Sequence, residues 1–229
     1  MPDTSGFEQK DAASKKLPKA VAPAAPSSLF QEKGSRPSKA LPYRLHCTLN
    51  RIKATNQVQL VFENKGKKGA VYHVYDLKQL NKIPRRYTVE AGKSLKDEWD
   101  IAAHHGAYDL EVYGPNGYFH KFTGNIAHIE PEVQLQYNHT KGDIVILLAN
   151  TTKAPINIEI KVNAYSYPSF TPVNLSPGKK QHLSLNLEKS GNWYDFTVFT
   201  SSGFSHRFAG RIETGRPAIS DPAMASHLT

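Results

Sequence analysis

Apolar side chains recur at every second position along most of this chain. Val58/Leu60/Phe62, Ile156/Ile158/Ile160/Val162, Leu183/Leu185/Leu187 and Tyr194/Phe196/Val198 all keep that spacing, and the three-and-four spacing of an amphipathic helix is missing. Period two turns successive side chains to opposite faces, so each segment sets one face on a core and the other in water. The pattern breaks where turn chemistry is strong, at Asn64-Lys65-Gly66, Ala91-Gly92, Gly114-Pro115-Asn116-Gly117, Lys141-Gly142, Pro177-Gly178, Ser190-Gly191-Asn192 and Ser202-Gly203. Seven short strands are predicted, near 44–50, 57–64, 70–76, 86–89, 93–100, 107–113 and 118–124.

The same pattern then returns. An ungapped shift of 86 residues lays Asn64 on Asn150, Gly92-Lys93 on Gly178-Lys179, Tyr108-Asp109 on Tyr194-Asp195, Gly117 on Gly203, His120 on His206, Phe122 on Phe208 and Gly124 on Gly210. Val58, Leu60 and Phe62 fall on Ile144, Ile146 and Leu148. The fold expected is therefore all-β: two tandem immunoglobulin-like antiparallel β-sandwich domains of about seven strands each, over 41–127 and 128–214, with a short tail over 215–229. A small closed barrel is the alternative that periodicity leaves open. From Asp11 to Leu41 the chain is rich in Ala, Lys, Pro and Ser, with prolines at 18, 23, 26 and 37 and little to bury; residues 1–40 read as a flexible linker.

Each repeated residue has a structural explanation. Gly92, Gly178, Gly117, Gly203, Gly124 and Gly210 fit turns or strand ends that need positive φ or close approach. Tyr108-Asp109 and Tyr194-Asp195 open alternating strands, which suggests half-buried rings whose hydroxyls bond to backbone at a sandwich corner. His120 and His206 share a face with Phe122 and Phe208 and read as packed rings, and Cys47, between His46 and Thr48 in a strand, as a small buried hydrophobe.

Composition narrows the classes. A chain of 229 residues with one Cys has no internal disulfide and no cysteine-rich metal site, so burial must hold it. Its longest apolar run, 144–149, is too short to span a bilayer, and residues 1–19 lack the apolar stretch of a secretory signal. The formal charge of +9 is uneven: +3 over 1–40, +5 over 41–127 and +1 over 128–229. Lys65, Lys67 and Lys68 cluster near one turn and Lys82, Arg85 and Arg86 near another, with Asp97, Glu98 and Asp100 close by, which suits a solvating or lipid-facing surface and no nucleic-acid partner. Tyr72, Tyr75, Tyr87 and Trp99 supply rings from which a cage for a small cationic head group could be built.

No catalytic signature occurs: the sequence has no Gly-x-Ser-x-Gly elbow, His-Glu-x-x-His helix, phosphate loop or dinucleotide fingerprint, and it implies no cofactor. His104-His105 is a poor metal site without a third ligand at defined spacing. Asn138, Asn150 and Asn174 begin glycosylation sequons in a chain rich in Asn and Thr.

The stretch Ile83-Pro84-Arg85-Arg86-Tyr87-Thr88-Val89-Glu90-Ala91-Gly92-Lys93-Ser94, with Trp99-Asp100 and 106–117 after it, closely resembles the C-terminal repeat of bacterial phosphocholine-preferring phospholipases C. Trp193-Tyr194-Asp195, the ending over 215–224 and the approach over 34–43 extend the resemblance to about residues 34–224. It implies a tandem accessory module of an exported enzyme, periplasmic or secreted, whose long N-terminal α/β domain splits phosphatidylcholine or sphingomyelin. No position here matches that domain's catalytic or metal motifs. The resemblance implies a noncatalytic chain, whether fragment, split-gene product or free-standing relative, with the phospholipase C catalytic domain as partner in cis or in trans and a lipid surface as second partner.

Overall fold

The computed structural model describes residues 15–18 and 34–224, so most of the linker expected over 1–40 lies outside the described residues. The first copy holds β2 (Leu45–Ile52), β3 (Gln57–Asn64), β4 (Ala70–Asp76), β5 (Arg85–Val89), β6 (Lys93–Asp100), β7 (Ala107–Tyr113) and β8 (Phe119–Asn125), following a two-residue β1 (Pro37–Ser38). The second holds β9 (Glu132–Asn138), β10 (Asp143–Ala149), β11 (Ile156–Val162), β12 (Val173–Leu175), β13 (Lys180–Leu185), β14 (Trp193–Phe199) and β15 (Ser205–Arg211), and β16 (Ala218–Ile219) closes the body. Alternation becomes burial: β3 and β10 bury every second residue, and Val58, Leu60, Phe62, Ile144 and Ile146 are wholly inaccessible.

Both expected sandwiches are present, each pairing a three-stranded sheet (β2-β3-β6 or β9-β10-β13) with a four-stranded one, all antiparallel. They also share a sheet. β8 pairs with β15, which fuses the larger sheets into one of eight strands in the order β12-β11-β14-β15-β8-β7-β4-β5, over a single continuous core. Lys121 lies opposite Arg207, its own counterpart 86 residues on, while Phe122 faces His206 and His120 faces Phe208. A pseudo-two-fold axis therefore passes between Lys121 and Arg207. On the core side the rings meet across it, His120–Phe208 at 4.8 Å and Phe122–His206 at 4.9 Å. On the outer side Lys121 reaches Asp109 (3.4 Å) and Glu111 (3.1 Å), and Arg207 grips Asp195 (2.6 Å), which accounts for the repeated aspartates.

The repeated tyrosines and glycines explain each other. Tyr108 is the cross-strand partner of Gly124 and Tyr194 of Gly210, and a Cβ on Gly124 would collide with the Tyr108 hydroxyl and the Glu130 carboxylate. Gly92 and Gly178 sit instead at φ +72° and +71°, the left-handed conformation their turns require. The hydroxyls depart from the backbone bonding expected at a corner. Tyr108 donates to Glu130 Oε2 (2.9 Å), and Tyr194 meets the Tyr137 hydroxyl (3.2 Å). The segment joining the copies buries Glu130 beside Tyr108, and a carboxylate is a stronger acceptor than a carbonyl.

The repeated Asn64 and Asn150 are buried with their amides saturated. Asn150 donates to Ala154 O and Leu175 O and accepts from Thr152, so its sequon is closed to modification. The ends of the body also differ from expectation. Pro37–Ser38 pairs with Ala218–Ile219, Ser220 N donates to Arg36 O (2.8 Å), and Trp193 Nε1 donates to Ile219 O (3.1 Å). Pro37–Ser38 and Ala218–Ile219 thus belong to the body, which the sequence does not reveal because two-residue strands leave no periodicity, and an edge strand tolerates the missing N–H of Pro37.

Candidate functional site

The six cations singled out in the sequence do not form one patch. β4 and β5 pair from Ala70↔Val89 to Val74↔Arg85, so the loop carrying Lys65, Lys67 and Lys68 lies at one end of this hairpin and Lys82, Arg85 and Arg86 at the other. At about 3.3 Å per residue the seven residues of β4 separate them by roughly 20 Å. Lys65 is paired with Glu63 (3.3 Å), while Lys67 and Lys68 are exposed.

The second cluster is built into a structured loop, residues 77–84. Asp76 fixes its entry by accepting from Lys78 N (2.9 Å) and Gln79 Nε2 (3.0 Å), and Lys82 N donates back to Gln79 O (2.9 Å). Behind the loop lies a cavity of about 340 Å³, walled by Tyr75, Leu80, Ile83, Pro84, Arg85 and Trp99 among others. Arg85 holds its rim: its guanidinium lies 4.0 Å from the Trp99 ring centre, and it donates to Asp97 (2.7 Å) and to the carbonyl of Glu98 (3.0 Å). Tyr87 donates to the same Asp97 oxygen (2.6 Å). Partial burial favours the neutral acid, but the bonds from Tyr87 and Arg85 outweigh it and hold Asp97 below the usual carboxylate range. Lys82 and Arg86 stay exposed, and so do two aliphatic residues that no charge or alternation marks in the sequence, Leu80 (74%) and Ile83 (88%).

The four rings do not surround one point. Tyr72 and Tyr87 are cross-strand partners facing the core, Tyr72 inaccessible and donating to Glu63 O (2.7 Å), Tyr87 stacked on Phe62 at 4.4 Å. Tyr75 lies on the opposite face of β4, edge-on to Tyr113. Trp99 offers its face to Arg85, where a cationic ligand would have to sit.

A model of the C-terminal domain of bacterial phospholipase C matches residues 37–125 and again 131–211, most of the body just described and once per copy. This chain belongs to that family. The relatives of this phospholipase C C-terminal domain are longer than the chain itself. The chain is 39% identical over 233 residues to a non-haemolytic phospholipase C of Pseudomonas aeruginosa, covering 98% of this chain and 34% of that one. It is likewise 39% identical over 234 residues to a non-haemolytic phospholipase C of Burkholderia pseudomallei, and 33% identical over 224 residues to a haemolytic phospholipase C of P. aeruginosa. It spans about a third of the length of these relatives.

Proposed function

We propose that this chain is a noncatalytic accessory module of an exported bacterial phospholipase C, which docks on the catalytic domain and helps hold it at a lipid surface. The observation that carries this reading is the pairing of two facts. The described body is the C-terminal domain repeated twice, and its most basic copy presents a structured loop with exposed Lys82 and Arg86 around exposed apolar side chains. Cations near an anionic bilayer contribute on the order of 1 kcal/mol each, and salt screens them. The parent reaction, release of phosphocholine from phosphatidylcholine or sphingomyelin, belongs to the catalytic domain. Co-sedimentation with anionic vesicles at low and high salt tests the lipid role, with binding expected at low salt and weakened at high salt. Failure to bind at either salt would remove it and leave docking alone, and phospholipase turnover by the purified chain would overturn the noncatalytic reading.

A further inference from the structure

Leu80 and Ile83 are exposed large aliphatic residues three positions apart on one loop, and the duplication supplies an internal control for them. The corresponding loop of the second copy runs 86 residues later, over 163–170. There Ser166 replaces Leu80, Ser169 replaces Ile83, Pro168 replaces Lys82, and Thr171 and Pro172 replace Arg85 and Arg86. The large side chains of that loop turn inward or are tied down. Tyr165 donates to Asp221 (2.8 Å), Tyr167 donates to the carbonyl of Trp193 with the Ser190 hydroxyl 3.0 Å away, and Phe170 packs on the core. Outward apolar side chains ringed by cations are thus not forced by this loop position. They belong to the first copy alone.

We infer that loop 77–84 is the bilayer contact of the module, with Leu80 and Ile83 entering the apolar edge of the membrane and Lys82 and Arg86 reaching anionic head groups. The inference rests on the lipid-surface reading and assigns it a place. Three features favour a bilayer over a protein partner. The order along the loop, apolar tips flanked by exposed cations, repeats the order of acyl region and head groups across a leaflet. Two side chains on a narrow tip offer far less than the roughly 800 Å² per partner that a stable protein interface buries. The turns anchored by Asp76 hold the tips outward before contact, so little ordering remains to be done on binding. Arg85 stays with Asp97 and Trp99 as the support of the loop.

The test uses the full chain with vesicles of phosphatidylcholine alone and of a three-to-one mixture of phosphatidylcholine and phosphatidylglycerol, the lipids brominated at shallow acyl positions in a parallel set. Trp99 lines the cavity behind the loop and reports contact by quenching. The double variant L80D/I83D, altered at exposed positions only, should keep the wild-type melting temperature, lose at least tenfold in partitioning to the mixed vesicles and lose the bromine quenching. K82E/R86E should lose roughly fivefold per charge on the same vesicles, whereas K65E/K67E/K68E, at the far end of the hairpin, should leave quenching unchanged. Wild-type chain that binds vesicles, with L80D/I83D binding equally well, would overturn this assignment while leaving the lipid role standing. Wild-type chain that binds neither vesicle would remove the lipid role and this assignment together.

Discussion

Across the pseudo-two-fold axis two equivalent histidines are buried in opposite ways. His120 Nδ1 lies 3.2 Å from the Cys47 carbonyl and 3.2 Å from the Tyr118 hydroxyl, and Nε2 lies 3.4 Å from the Tyr137 hydroxyl. A carbonyl only accepts, so Nδ1 carries the proton and Nε2 accepts from Tyr137. Neither nitrogen of His206 has a hydrogen-bond partner among the described residues. The cause can be read in the repeat: the counterpart of Tyr118 is Phe204, which has no hydroxyl, and the counterpart of Tyr137 is Arg51, which turns to Glu130 instead (3.0 Å). One side of the axis is a tyrosine network and the other an ion pair beside a bare imidazole. Duplication fixes the backbone of such a junction, while a few side chains decide whether its polar groups are satisfied.

The sharpest break of this comparison is Glu130→Ala. Glu130 is inaccessible and its carboxylate receives Arg51, the Tyr108 hydroxyl and the backbone N–H of Asn125 (2.6 Å), so its removal leaves a largely buried guanidinium without its counter-ion, held only at the residue 130 carbonyl (3.1 Å). A loss of about 3–5 kcal/mol in urea denaturation is expected, larger than that of Tyr137→Phe on the other side of the axis, and a loss no greater than that of Tyr137→Phe would show that the ion pair does not hold its side.

Acid should act next most strongly. Burial, aided by Arg51, lowers the His206 pKa to about 3, whereas the unfolded chain takes up this proton near the ordinary value of 6.5. Between those values the unfolded state binds more protons, so the titration of His206 costs no stability above pH 6.5 and an increasing amount as the pH drops toward 3. At pH 4.5 the difference is about 2–3 kcal/mol. His206→Leu should reduce the slope of the stability profile in this window by the share of one proton, burial also lowering the pKa of His120 and His46, and a slope identical to wild type would contradict a neutral buried ring. The smallest effects come at neutral pH, where the two histidines should differ in sign. His120→Leu leaves a carbonyl and a hydroxyl without their partner and should destabilise by about 1–3 kcal/mol, while His206→Leu removes two unsatisfied groups and should stabilise by about 1 kcal/mol. Thermal melts of the two variants side by side would show it, and equal shifts would erase the distinction.

Strand positions were legible because period two and glycine turns are local signals, and β4, β7 and β8 recur 86 residues later at both ends. The β8–β15 joint was not legible. The alternation His120/Phe122 has the same form whether the strand edge meets water or another strand, and pairing between copies leaves no mark along the chain. Glu130 was missed as the acceptor of Tyr108 because the two are 22 residues apart and joined only by the fold. At the loop, the cations stood out by charge. Leu80 and Ile83 did not, because an apolar residue between turns reveals its exposure only once its neighbours are placed.

The axis between Lys121 and Arg207 has a consequence for assembly. An edge strand that pairs with its own 86-residue counterpart in self-matching register is the interface of a symmetric dimer, written twice into one polypeptide. Joined in one chain, the halves meet by a first-order step whose equilibrium is indifferent to dilution, whereas a single copy set free would expose that edge and its ring cluster to any other copy. What looks like a second domain is, in these terms, a permanently attached partner.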